Sequence, residues 1–259
     1  MTNELKFNFE NARRAAPFLT VVRAEFEPGK PGVATRLGAG GGSSALIDVR
    51  ANKAGRPIGL FLTAAHVLDA IADWGLVNFF DADGRAPRQE IAWVIKRYNP
   101  GDVAAFFAWF PSLGDVAKPF QIATRRPEQC ARLYGAGWGS SERGDRFALH
   151  PGRAFGRPPS DAGGGEGVNK NGFPCDNDAS HWGWFTALAR PGDSGGPVLD
   201  AETGALVGIR SGGLAASTNE RDVRASRFGR YYSTVDSEFV ASVRSDFASK
   251  IATKPYRFD

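Results

Sequence analysis

The sequence is poor in the residues on which much enzyme chemistry depends. Among 259 residues there are three histidines, two cysteines and one methionine. Two cysteines, Cys130 and Cys175, cannot build a disulfide framework. The chain has no apolar run of about 18 residues, so no membrane-spanning helix is expected. It also lacks any block of five or six basic residues. The net charge of +4, from 32 basic and 28 acidic residues, is spread out, and no nucleic-acid partner is expected. Met1 to Arg14 is polar, without an apolar core or a small-residue cleavage site. With so few cysteines, that sets a cytoplasmic location as the expectation, unless a leader has already been removed.

Backbone punctuation, by contrast, is plentiful. The chain has 32 glycines and 16 prolines, which argues against a helical bundle and for many short strands joined by turns. Apolar residues at 42% and charged residues at 23% allow a sizeable core. Strand patterns run over 18–26, 45–49, 58–64, 76–80, 91–95 and 103–110. Gly38 to Ser44, "GAGGGSS", reads as a flexible loop, and "HVLDAIADW" as a short helix. After a connection containing Pro111, Pro119 and Pro127, a second set follows at 131–136, 147–150, 183–187, 197–200, 205–210 and 231–235. The glycine- and proline-rich stretch 156–180 reads as an exposed loop. Phe239, Val243, Phe247 and Ile251 recur every four residues, the stripe of a helix docked on the body. The organisation predicted is an N-terminal arm (1–17), an all-β unit (18–118), a second all-β unit (119–235) and a C-terminal helix (236–253).

Few residues are equipped for catalysis. His66 ends an apolar strand in "TAAHV"; by itself it could equally be a buried histidine satisfied by backbone. "RPGDSGGPVL", Arg190 to Leu199, sets three glycines around Ser194. Gly192 lets the backbone turn its N–H into a site, while Gly195 and Gly196 leave the serine uncrowded on a bend. A bare GDSGG string could also be a plain loop. A serine hydroxyl needs a base, and a histidine base needs an orienting carboxylate. Asp102, at the start of the apolar strand in "PGDVAAFF", is the best candidate; Asp81, Asp83 and Asp115 read as solvated turn residues. His150, before Pro151, and His181, at the end of a polar loop, read as surface residues. "CDND" at 175–178 lacks the spacing of a calcium loop, so neither metal nor cofactor is expected.

Taken in chain order, these segments resemble the chymotrypsin/trypsin-like serine peptidase family. "TAAH" (63–66), "DVA" (102–104) and "GDSGGP" (192–197) resemble its three catalytic motifs. "GWG" (137–139) resembles a fourth landmark, and "LVGIRSG" (206–212) the strand lining the substrate cleft. The resemblance spans about residues 18–250. It implies two antiparallel six-stranded β-barrels with the active site in the cleft between them. It also implies a serine endopeptidase that cleaves protein or peptide substrates through an acyl-enzyme. His66, Asp102 and Ser194 would form the triad, Gly192 and Ser194 the oxyanion hole, and Ser211 would support Asp102. The substrate pocket would be built from Leu188, Arg210, Ser211, Gly212 and Gly213. Leu188 at the pocket base disfavours basic side chains, and the two glycines leave an open wall for an apolar one. Arg210 alternates with Ser211 along a strand, so it either faces the pocket and pairs with an acidic substrate, or neutralises Asp193 or reaches solvent. The alternative is a catalytically silent trypsin-fold module that binds a protein partner.

The sequence departs from the family in two ways. Val67, Arg190 and Asp200 stand where family cysteines are common, and Cys130 lacks its usual partner, which points to a reducing compartment. No basic residue followed by an Ile-Val-Gly-Gly-like start precedes the first unit. A new N-terminus is therefore not expected to pair with Asp193. Arg190, Arg210 or the N-terminal arm must serve, as in the non-zymogen bacterial branch of the family.

Overall fold

A computed structural model describes residues 9–26, 34–68, 74–79, 88–98, 102–109, 117–139, 147–155, 182–185, 187, 190–213, 230–235 and 237–253. The two halves of the chain each make an antiparallel sheet. The first holds β1 (Phe18–Phe26), β2 (Ala34–Ser43), β3 (Ala45–Ala51), β4 (Pro57–Ala64), β5 (Trp74–Phe79), β6 (Arg88–Tyr98) and β7 (Val103–Trp109). Their spatial order is β2-β1-β5-β6-β7-β4-β3. Strands β4 and β7 are neighbours in it, pairing from Ile58 opposite Trp109 to Ala64 opposite Val103. Both read as continuous apolar runs because both faces are covered. Phe61 and Phe106 stack within this core with ring centroids 5.1 Å apart.

The second sheet holds β8 (Arg132–Gly137), β9 (Ala148–Phe155), β10 (Trp182–Phe185), β11 (Pro197–Asp200), β12 (Leu206–Gly213) and β13 (Arg230–Thr234). Its order is β10-β13-β12-β11-β8-β9, and β9 pairs back onto β10, so the ladder closes on itself. Leu133, Ala154, Phe185, Ala187, Val198 and Val207 fill its interior. The molecule is thus antiparallel and mostly β. The first sheet departs from the expected six strands by having seven. The addition is β2, which takes in most of the glycine run read as a loop. It pairs with β1 from Phe18 opposite Ser43 to Phe26 opposite Ala34. Glycine has poor strand propensity, but here it makes room for a side chain of the paired strand. A Cβ on Gly41 would come within 2.5 Å of the Phe18 ring.

Two helices fasten the sheets. The C-terminal helix α2 (Ser237–Thr253) buries Phe239, Val243, Phe247 and Ile251, the stripe seen in the sequence. It packs on the first sheet: Phe247 meets Phe107 at 5.9 Å, and Arg244 donates to the Ile47 carbonyl at 3.1 Å. The short helix α1 (Phe9–Arg14) begins a segment that packs on the first sheet. Ala12, Ala15 and Ala16 are buried, and the carbonyls of Ala15 and Pro17 accept the N–H groups of Leu46 and Ser44. The small side chains of "RAAP" let this backbone lie directly on β3. The region expected to be a short helix after His66 begins as a 3-10 turn, Ala65–Leu68. Stretch 156–180, His181, Leu188, Cys175, Asp81, Asp83 and Asp115 lie outside the described residues.

Candidate active site

His66 is presented where β4 ends and the chain tightens into the 3-10 turn. Asp102 stands just before β7, the strand paired with β4, so the ladder brings the two together. The aspartate backbone is left-handed, with φ at 45°. Aspartate tolerates that region better than most residues, and such backbone strain is concentrated at functional sites. Every acceptor of Asp102 faces the histidine turn or β12. Its carbonyl accepts the Ala65 N–H at 3.0 Å. Oδ1 accepts the His66 N–H at 2.9 Å, and Oδ2 lies 2.8 Å from His66 Nδ1. Oδ2 also accepts the Ser211 hydroxyl. Asp102 is 5% exposed, so these groups replace water around the carboxylate. A ring whose Nδ1 carries the proton toward a carboxylate keeps Nε2 as its basic nitrogen.

Ser194 sits on a loop fixed by backbone bonds. The Asp193 N–H donates to the Arg190 carbonyl at 3.0 Å, closing a turn around Pro191 and Gly192. Gly192 has φ at +93°. Proline followed by a glycine of positive φ is the chemistry of a type II turn. Gly195 has φ at +85°, and a Cβ there would overlap Thr63 Oγ1 and the Ser43 carbonyl. The Gly195 N–H donates to the Arg210 carbonyl at 2.7 Å, and the Arg210 N–H to the Gly196 carbonyl at 2.8 Å. From the other side, the Ser43 N–H donates to the Ser194 carbonyl at 2.7 Å. So Arg210 anchors the serine loop through its backbone, while its neighbour Ser211 reaches Asp102 through its hydroxyl. The β12–β13 register shifts between Arg210 and Gly212, which makes Ser211 a bulge residue. Bulges re-aim side chains beside active sites. Gly212 and Gly213 continue the strand opposite Tyr231 and Arg230.

Asp193 is the second buried carboxylate, 1% exposed. Its Oδ2 accepts the Arg190 N–H at 2.8 Å and lies 3.3 Å from Arg210 Nη1. His150 Nε2 is 3.8 Å from the same oxygen. The "GWG" segment gives this carboxylate its room, because a Cβ on Gly137 or Gly139 would approach Asp193 Oδ1 to 2.6 or 2.7 Å. Burial pushes the Arg210 guanidinium down from its ordinary value, and the Asp193 charge opposes that shift. His150 is lowered from 6.5 to about 4, chiefly by burial and then by the Arg210 charge, with Asp193 pulling the other way and Arg190 lowering it a little further. The imidazole is therefore neutral at pH 7 beside a charged pair.

Two readings from the sequence need correction. Arg210 does not offer its guanidinium to a substrate pocket: it is 3% exposed, paired with Asp193, and lies 5.8 Å from the centre of the Phe185 ring. The bulge at Ser211 interrupts the simple alternation expected of a strand, and the Arg210 side chain lies beside Asp193. His150 is not a surface residue: in β9, within the strand expected at 147–150, it stands opposite Gly135 and is 7% exposed. Pro151 suggested a break; the proline is accommodated within the strand opposite Tyr134. Ser43 and Trp138 contribute contacts that no local sequence signal announced, apart from the place of Trp138 in "GWG".

A family profile described as trypsin-like peptidase domain matches residues 42–209, well over half of the chain. Among solved structures, the HtrA-type protease AlgW with a tripeptide superposes with a TM-score of 0.57 at 18% identity. That alignment covers 92% of this chain and 61% of AlgW. The Rv3671c protease from M. tuberculosis in its active form gives 0.55 at 18% identity, covering 99% of this chain and 90% of that one. Its inactive form gives 0.52 at 18% identity, with coverage of 93% and 90%. At such identities these structures speak for the fold. No curated protein matches the chain by sequence.

Proposed function

The chain belongs to the trypsin-like peptidase family, and on that premise we propose that it is a serine endopeptidase using His66, Asp102 and Ser194. The observation that carries this reading is the contact of His66 Nδ1 with a buried Asp102 that also accepts the Ser211 hydroxyl. In this reading Ser194 Oγ attacks the scissile carbonyl carbon as His66 Nε2 takes its proton. His66 then protonates the leaving amine, and an acyl-enzyme on Ser194 remains. Water, deprotonated by the same nitrogen, attacks the ester and frees Ser194. Asp102 holds the imidazole in one tautomer and offsets the charge it gains. The N–H groups of Gly192 and Ser194 serve the oxyanion, each worth a few kcal/mol (about 2.7–4) in the transition state.

The scaffold reading follows the family. The all-β units 18–118 and 119–235 are the two barrels, with the cleft between them. Asp193 already has a cation in Arg210, so in this reading activity does not require a newly cut N-terminus. With Arg210 engaged there, the favoured substrate residue is apolar and not acidic. Free, exposed Cys130 supports a reducing, cytoplasmic setting.

Labelling with a fluorophosphonate probe tests the reading. Wild type should label and Ser194→Ala should not. A folded wild type that takes no label, together with no cleavage of a peptide library, overturns the assignment.

A further inference from the structure

We propose that Ser43 is a positioning residue for the oxyanion loop, with Trp138 tying it to the N-terminal segment. The proposal rests on the peptidase reading above. Ser43 closes β2 and is fully buried, and each of its polar groups has a partner. Its N–H donates to the Ser194 carbonyl at 2.7 Å. Its carbonyl accepts the Thr63 hydroxyl at 2.8 Å. Its hydroxyl donates to the Gly192 carbonyl at 2.9 Å and accepts the Trp138 N–H at 2.8 Å. One residue of the first sheet therefore holds the carbonyls of both residues whose N–H groups are assigned to the oxyanion.

A peptide unit is planar, so a held carbonyl fixes the plane that follows Gly192. The Asp193 N–H of that same unit donates to the Arg190 carbonyl, so the plane is held at both edges. Glycine has the widest choice of backbone states of any residue, so Gly192 is where the loop drifts once one anchor is lost. Removing the Ser43 hydroxyl takes this partner from the part-buried Gly192 carbonyl and the buried Trp138 N–H, and the local way to compensate is to rotate the Gly192 backbone. Trp138 extends the arrangement: its indole N–H donates to the Ala16 carbonyl at 2.6 Å. The N-terminal segment, Trp138, Ser43 and Gly192 thus form one hydrogen-bonded chain from outside the barrel to the serine loop. Ser43 itself touches no reacting atom.

The test uses Ser43→Ala and, to keep the volume with a poor hydrogen-bonding group, Ser43→Cys, both in the full-length chain. We expect kcat on a peptide substrate to fall about 10- to 100-fold with KM changed less than about threefold, because only oxyanion stabilisation is weakened. Fluorophosphonate labelling should slow in parallel. Amide hydrogen exchange in residues 190–195 should speed up about tenfold or more, with strands β4 and β7 unchanged. If Ser43→Ala does not fold, Ser43→Cys decides. A folded variant with full kcat and wild-type exchange in 190–195 overturns the proposal. So does a lowered Tm with unaltered kcat, which marks a structural role alone. If wild type neither labels nor turns over, the peptidase reading fails on its own. Exchange in 190–195 then still decides: unchanged exchange in the variants overturns the anchoring role, and faster exchange upholds it.

Discussion

The surroundings of Asp102 and Asp193 solve the same problem in opposite ways. Both carboxylates are buried, at 5% and 1% exposure. Asp102 is satisfied by hydrogen bonds from an imidazole, a serine hydroxyl and a backbone N–H. Asp193 has a guanidinium at 3.3 Å and a backbone N–H at 2.8 Å. The imidazole beside Asp102 retains side-chain exposure of 27%, so it can meet a substrate. The imidazole beside Asp193 is shut in, at 8%. A carboxylate whose partner can gain and lose a proton suits chemistry. One whose partner is a permanent cation suits fixing a loop. The difference lies less in the aspartates than in the chemistry of the side chains that face them.

The largest effects should come from the Asp102 side. Ser194→Ala and His66→Ala should each lower kcat by about 10⁴- to 10⁶-fold with the fold intact. Asp102→Asn should cost about 10⁴-fold through the wrong tautomer. Steady-state kinetics on a peptide, with circular dichroism as the fold control, checks this. A variant keeping more than a small fraction of activity removes that residue from the triad.

The Asp193 side should respond mainly in stability. Arg210→Ala strands a buried charge and should cost about 3–5 kcal/mol, read from denaturant unfolding. Asp102→Asn, by contrast, should change stability much less, since an amide still bonds to its neighbours. Equal losses in the two variants would erase the distinction between the two carboxylates.

The smallest effect is a pH dependence from His150. Its value is about 4 in the folded protein against 6.5 ordinarily. Between those values the unfolded chain binds the proton and the folded chain does not. Stability should therefore fall as pH drops from 6.5 toward 4, by roughly 3 kcal/mol in all, with no contribution from this group above 6.5. Thermal unfolding of wild type and His150→Phe across that window measures the difference. Parallel curves would show that His150 does not carry it.

The readable parts of this site were those where a residue type has a local reason. Histidine after an apolar strand, aspartate before one, and serine among glycines were each legible as candidates within about six residues, but each alone also had a plain structural reading, and the resemblance of their chain order to a family joined them. The stripe of α2 was likewise legible, since a period of four on a helix sets one face. The glycine run in β2 was not, because its strand form depends on β1 lying alongside. His150 was hidden by its neighbour Pro151, which normally marks a break in a strand.

The amino-acid sequence by itself determined which groups are available: one serine on a glycine bend, a histidine and aspartate at strand ends, an arginine beside a serine. It also placed Arg210 and Ser211 side by side on one strand pattern. Only the tertiary structure decided which way each faces and what it meets there. A bulge at Ser211 turns its hydroxyl to Asp102, and the inward side brings Arg210 to Asp193. The physical reason is range. Chain conformation and residue chemistry act between near neighbours in sequence, whereas a buried charge must be matched by whatever the packing places within about 4 Å of it.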